Sequence, residues 1–306
     1  TRIIVSNGVY EISKNIEMSQ GVHVEGVTGN PNDIVFNLNS KNYRMNDPAA
    51  VLSSVKLTSG SATQGGAVWI GLLGGTLTNC IVENSRSTGY DGRAGGVYAS
   101  GDFALVSHCI VSNCTTSSEG EYESYKAAGV QMDGGRIESS LVVGCYSTTQ
   151  QSNFRKSVGG ILVASGASAV NCTVVGCSGH RAGGIYSSGA VTNCAIVGCA
   201  NMSESFPVPV DAWDGAAAGF VNCLTDTDDP INGTCFVTDL PETRIFRTKY
   251  GTSFFPATGS PLVDRGANWH GVEKATDLAG NPRKVGSRVD IGCYEGPPEN
   301  TIFLIR

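Results

Sequence analysis

The sequence predicts an all-β chain wound into a coil of short strands, one winding per repeat, with a non-repeating C-terminal cap. Three observations carry that prediction. Five stretches share one pattern: GGAVWI…LTNCIVENS (65–85), GGVYAS…VSHCIVSNC (95–114), AGVQMD…IESSLVVGC (128–145), GGILVA…AVNCTVVGC (159–177) and GGIYSS…VTNCAIVGC (183–199). Each has a small-residue doublet, a β-prone strand, a gap and a second strand that usually holds cysteine. The doublet's second residue falls at Gly66, Gly96, Gly129, Gly160 and Gly184, giving steps of 30, 33, 31 and 24 residues, the length one winding of two or three short strands needs. Glycine is also abundant, 40 of 306 residues, while 16% are charged and 8% aromatic; such a mix suits many tight turns. Finally, no stretch keeps apolar residues at helical spacing over three turns, and no apolar run approaches the roughly 20 residues of a membrane span.

Taken in order, residues 1–36 alternate apolar and polar at Ile3, Val5, Val9, Val22 and Val24, broken by Asn-Gly and Gln-Gly turns. They read as the first windings. SKNYRMNDP (40–48) is polar and reads as a turn, and VLSSVKLTSG (51–60) resumes strand character. Within the repeats, the position after the second glycine is apolar throughout (Ala67, Val97, Val130, Ile161, Ile185), so alternation assigns it to the interior. The next position (Val68, Tyr98, Gln131, Leu162, Tyr186) then faces outward.

Two cysteine columns follow: Cys80, Cys109, Cys172, Cys194 and Cys223, then Cys114, Cys145, Cys177 and Cys199, with Ser140 and Ser85 in the missing slots. Interchange with serine fits a small buried side chain, so an inward ladder of free thiols is the main expectation. Disulfides between windings are the alternative, although an odd total of 11 cannot pair completely. Asn79, His108, Ser139, Asn171, Asn193 and Asn222 precede the first column. Asparagine tolerates a left-handed corner, and its amide can bond to the same amide one winding on. The last 60 residues lose the repeat and gain charge and aromatics. We therefore divide the chain into a coil, 1–245, and a capping segment of the same domain, 246–306; a coil needs its strand edges covered. The chain starts at Thr1 with neither methionine nor an apolar leader, and is expected to be a piece of a longer, processed product.

The coil resembles the right-handed parallel β-helix of the pectin-lyase-like superfamily. SPLVDRGAN…DLAGNPRKVGSRVDIGCYE (260–295) is similar to the C-terminal module of bacterial secreted β-helix proteins, with Asp277, Gly280, Pro282, Arg283, Asp290, Ile291, Gly292, Tyr294 and Glu295 at the motif positions. Together the resemblances span nearly the whole chain. They imply the architecture and an extracellular or bacterial cell-surface location. They specify no activity, since such proteins include glycan lyases, glycan hydrolases and proteins without catalysis.

The residues suggest where chemistry would lie. Arg93, Lys126 and Arg181 stand three before the second glycine, with Arg155 and Lys156 nearby in the fourth winding. Stacked windings would align these cations, and the same face carries Tyr98, Gln131, Asp133 and Tyr186. A cationic, aromatic face suits a uronate polysaccharide. In β-elimination, Lys126 is the candidate base, with Arg155 or Arg181 forking the carboxylate. Hydrolysis would need two carboxylates from Asp133, Asp91 and the Asp211/Asp214 pair, but the close aspartate cluster of polygalacturonases is missing. His180 beside Arg181 is a candidate binding residue; His108 reads as structural. The carboxylates of TDTDDP (225–230) are a possible Ca²⁺ site, although a turn role is the plainer expectation. No phosphate loop and no Gly-x-Ser-x-Gly elbow occurs. With net charge −6, nucleic acid is not an expected partner. The expectation is an exported, monomeric β-helix that interacts with an acidic polysaccharide, with lyase activity as its catalytic form. The rival is a non-catalytic adhesin or glycan-binding protein.

Overall fold

The computed structural model describes residues 1–89, 92–117, 125–148, 156–202, 213–216, 219–226, 234–247 and 254–296. One winding shows how the repeat folds. Val97–Ala99 forms a strand of what we term sheet I, Ala104–Ser107 of sheet II, Ile110–Ser112 of sheet III, and Thr115–Thr116 of a narrow sheet IV. Val130–Met132 then returns to sheet I. Each strand pairs in parallel with its equivalent in the next winding, Val97 with Val130 and Val111 with Val142. Among the described residues, sheets I to IV contain eight, nine, ten and six strands. The fold is an all-β, right-handed parallel β-helix.

The interior is built as alternation requires. Val97, Ala99, Val106, Cys109, Val111 and Cys114 are fully buried in one winding, and their equivalents above and below continue the same columns. All eleven cysteines are free, and all but Cys235 are buried. The thiols point inward and donate to carbonyls: Cys109 Sγ to Ser107 O (3.2 Å) and Leu77 O (3.6 Å). The glycine doublets mark where the winding closes on itself. A Cβ on Gly95 would collide with the Thr115 carbonyl of sheet IV, and one on Gly96 would lie 2.8 Å from Val111 Cγ1 across the interior. Backbone passes too close for a side chain there.

Two expectations change. In the first repeat the interior residue is Val68, not Ala67, because Val68 pairs with Val97 and Trp69 with Tyr98. Ala67 occupies the slot of Gly96, so the true doublet is Gly66–Ala67, and the register slips one residue against the glycine count. That slip turns Trp69 outward. Residues 40–48 are also not wholly a turn: Tyr43–Met45 is a sheet I strand with Tyr43 and Met45 buried and Arg44 outward. Its alternation spans three residues, too few to stand out among polar neighbours.

The non-repeating segment lies along the flank of the coil. Phe246, Phe254, Ile291, Cys293 and Tyr294 pack on Leu141, Val175, Val197 and Leu224, outward residues of sheet III in successive windings. Gly292 N–H donates to Asn193 O (2.8 Å) and Cys293 N–H to Thr173 Oγ1 (2.9 Å). The sheet face it covers is apolar and would otherwise be exposed.

Candidate functional site

The outer face of sheet I gathers most of the residues singled out from the sequence. Cα pairing stacks one outward residue per winding: Glu17, Arg44, Trp69, Tyr98, Gln131, Leu162, Tyr186 and Asp214. Neighbours along this column are about 4.8 Å apart, the spacing of hydrogen-bonded strands.

At one end, Arg44 pairs with Glu17 (3.4 Å) and its guanidinium lies 5.8 Å from the centre of the Trp69 ring. In the middle, Asp133 bridges two windings. Tyr98 Oη donates to Asp133 Oδ2 (2.8 Å) and Gln131 Nε2 donates to Asp133 Oδ1 (2.9 Å). Burial, then the Asp133 charge, pushes the Tyr98 phenol above the ordinary tyrosine range, while Arg93 works against that shift. Gln131 is buried, and its Oε1 has no hydrogen-bond partner among the described residues. At the other end, Tyr125 stacks on Tyr186 with centroids 4.1 Å apart, and Lys156 Nζ lies 5.7 Å from the Tyr125 ring centre. Arg181 pairs with Asp214. The Tyr186 phenol is pushed up to about 12, by burial first and then by its bond with Tyr125. His180 Nδ1 faces Ser157 Oγ (3.0 Å), and burial lowers the imidazole pKa.

The cation row is partly realised. Lys126 pairs with Ser157, and Val158 bridges to Ala182, which sets Arg181 in the same column. Gly95 N–H donates to Ala127 O (3.1 Å), which sets Arg93 opposite Lys126. Ser157 takes the fourth winding's slot, one residue after Lys156. The row is also uneven in depth: Lys126 is only 6% exposed, Arg93 is half-buried and Arg181 is open. Ala127, Val158 and Ala182, the next column, pack with Leu162, Tyr125 and Tyr186 as a small apolar layer outside sheet I. Lys126 directly precedes Ala127 of this layer and is itself buried.

Arg155 lies outside the described residues, as do Asp91, Asp211, Asp228 and Asp229. Asp226 of the acidic loop accepts from Gly198 N–H (2.7 Å). The sequence reading missed three members of the face. Trp69 was hidden by the register slip, Arg44 by the short strand, and Tyr125 by its place outside any column. A column count from Val97 downward in steps of one winding would have found the first two.

The geometry defines a parallel β-helix with an aromatic and cationic outer column. No family model, curated protein or solved structure matches the chain. Among the described residues, no helix is long and apolar enough to cross a membrane.

Proposed function

We propose that the outer face of sheet I binds an extended acidic polysaccharide, laid parallel to the coil axis, in an exported or cell-surface protein. The observation that carries this reading is the column itself, with ring faces at Trp69 and Tyr186 and cations at Arg44, Arg93, Lys156 and Arg181 on one side of the coil. Ring faces favour sugar rings, and guanidinium forks favour carboxylates. Trp69 and Tyr186 are four windings apart, about 19 Å at the usual strand spacing, so the ligand would be a chain of several sugars. The pectin-lyase-like superfamily is the family this reading favours, supported by the fold and the tail motif together.

Binding is favoured over β-elimination by the placement of the candidate base. Lys126 is buried at the edge of an apolar layer, and Tyr98 is held by Asp133 with its phenol strongly protonated. The test is titration with pectate, alginate and glycosaminoglycan oligomers of graded length. Affinity should rise until the oligomer spans both rings, and Trp69→Ala or Tyr186→Ala should each weaken it about tenfold. No binding to any acidic oligomer would remove the proposal. Appearance of the unsaturated uronate chromophore, with or without Ca²⁺, would make the face a lyase site.

A further inference from the structure

Away from the sheet I face, the coil and the tail enclose a cleft of about 660 Å³. Its floor is the outer face of sheet II, and its wall is tail residues 267–269 and 274–276. We infer that this cleft is a second saccharide site, taking a single sugar unit that carries one acidic group.

The volume falls within the about 300–1,000 Å³ of small-ligand sites. Its lining includes the indole of Trp269, which remains 38% exposed although large and apolar. On the floor, Arg136 Nη2 pairs with Glu138 Oε2 (2.5 Å), and Glu138 Oε1 accepts from Ser107 Oγ (3.3 Å). Lys274 faces the cleft from the wall and forms no ion pair among the described residues. A stacking ring, a charged donor and acceptor side by side, and one unmatched cation form a set of complementary groups. Hydroxyls fit the Arg136–Glu138 pair as donors and acceptors at once; a ring face fits the indole; a carboxylate or sulfate fits Lys274. An apolar ligand is disfavoured by the charged floor.

The two walls are fixed to each other, so the cleft is already formed. Asn193 Nδ2 donates to Ala267 O (3.1 Å) while its Oδ1 accepts from Ala267 N–H (2.7 Å). His108 Nε2 lies 3.1 Å from Thr276 O on the far side. Little ordering would be required on binding.

This site shares no residue with the sheet I face, so either can fail alone. The experiment titrates the full chain with glucuronate, galacturonate, glucose, galactose and their disaccharides, read by indole fluorescence and by heat of binding. Acidic sugars should bind and shift the Trp269 emission. Lys274→Ala should erase the preference for acidic over neutral sugars, a loss of about tenfold, and Trp269→Ala should weaken both by a similar factor. Because Trp269→Ala also touches the tail, Arg136→Ala on the coil strand provides a second, independent loss with an unchanged melting temperature. No saturable binding by any of these sugars, or binding indifferent to Trp269→Ala and Arg136→Ala together, overturns the inference.

Discussion

Ser85 and Ser140 show what the cysteine columns do. Ser85 Oγ donates to Glu83 O (2.9 Å) and Ser140 Oγ to Glu138 O (2.7 Å), the carbonyl two residues back. Cys109 and Cys172 donate to the same position at 3.2 and 3.4 Å. The ladder therefore needs a small side chain with a weak donor, and sulfur chemistry is incidental. Burial pushes the Cys109 thiol up to about 12, which keeps it protonated and unreactive. We expect Cys172→Ser to cost about 1 kcal/mol or less and Cys172→Leu about 1–3 kcal/mol through overpacking. Urea unfolding midpoints check this; a serine variant as damaged as the leucine variant would refute the packing account.

The strands are held in register by two corner columns. Asn79, His108, Ser139, Asn171, Asn193 and Asn222 all have φ between 45° and 55°. The sequence made this column visible because Asn recurs before cysteine. A second column, Asn84, Asn113, Gly144, Gly176 and Gly198, has φ between 51° and 63°. It escaped the reading although Asn and Gly alternate there for the same reason. The two corners differ in what the side chain adds. Asn193 Nδ2 donates to Asn171 Oδ1 (3.0 Å) and anchors the tail at Ala267, whereas glycine suffices at the second corner. Accordingly, Asn113→Gly should be nearly neutral and Asn113→Ala should cost about 1–2 kcal/mol for left-handed backbone. Asn193→Gly should cost more than Asn113→Gly, since it also breaks three hydrogen bonds. Equal losses at the two corners, measured by chemical unfolding, would remove the distinction.

At the scale of the whole molecule, the tail motif is a buried polar knot. Arg283 is fully buried, pairs with Glu295 (3.0 Å) and donates to Asp290 O (2.9 Å) and Gly292 O (2.6 Å). Asp277 accepts from the backbone of Ala279, Asn281 and Glu295. These charged residues thus fasten the tail, a structural role that names no reaction. Burial pushes Glu295 up to about 8 and Asp290 to about 6. Both carboxyls take up protons at a higher pH in the fold than in the unfolded chain, so their contribution favours folding at low pH and is lost as pH rises from the ordinary carboxyl range through 6 and 8. Melting temperature should fall from pH 5 to 9, and Glu295→Gln should flatten the upper part of that fall. A variant with the wild-type profile would show that Glu295 does not titrate there. At pH 9, where Glu295 is ionised, Arg283→Met leaves its charge buried and unpaired and should cost about 3–5 kcal/mol.

The sequence alone determined the coil, the interior ladders and the first corner column, because these depend on periodicity, and stacking turns a period into a set of vertical neighbours. It also placed Tyr98, Gln131, Asp133, Arg181 and Tyr186 on one face. Tertiary structure decided the rest. Whether Ala67 or Val68 points inward depends on pairing with the next winding. Whether Lys126 meets solvent depends on what packs outside the sheet, and the seam beside Trp269 exists only because Thr276, 168 residues further along the chain than His108, packs against it. Exposure is set by what lies beyond the coil, and a repeat pattern carries no information about that.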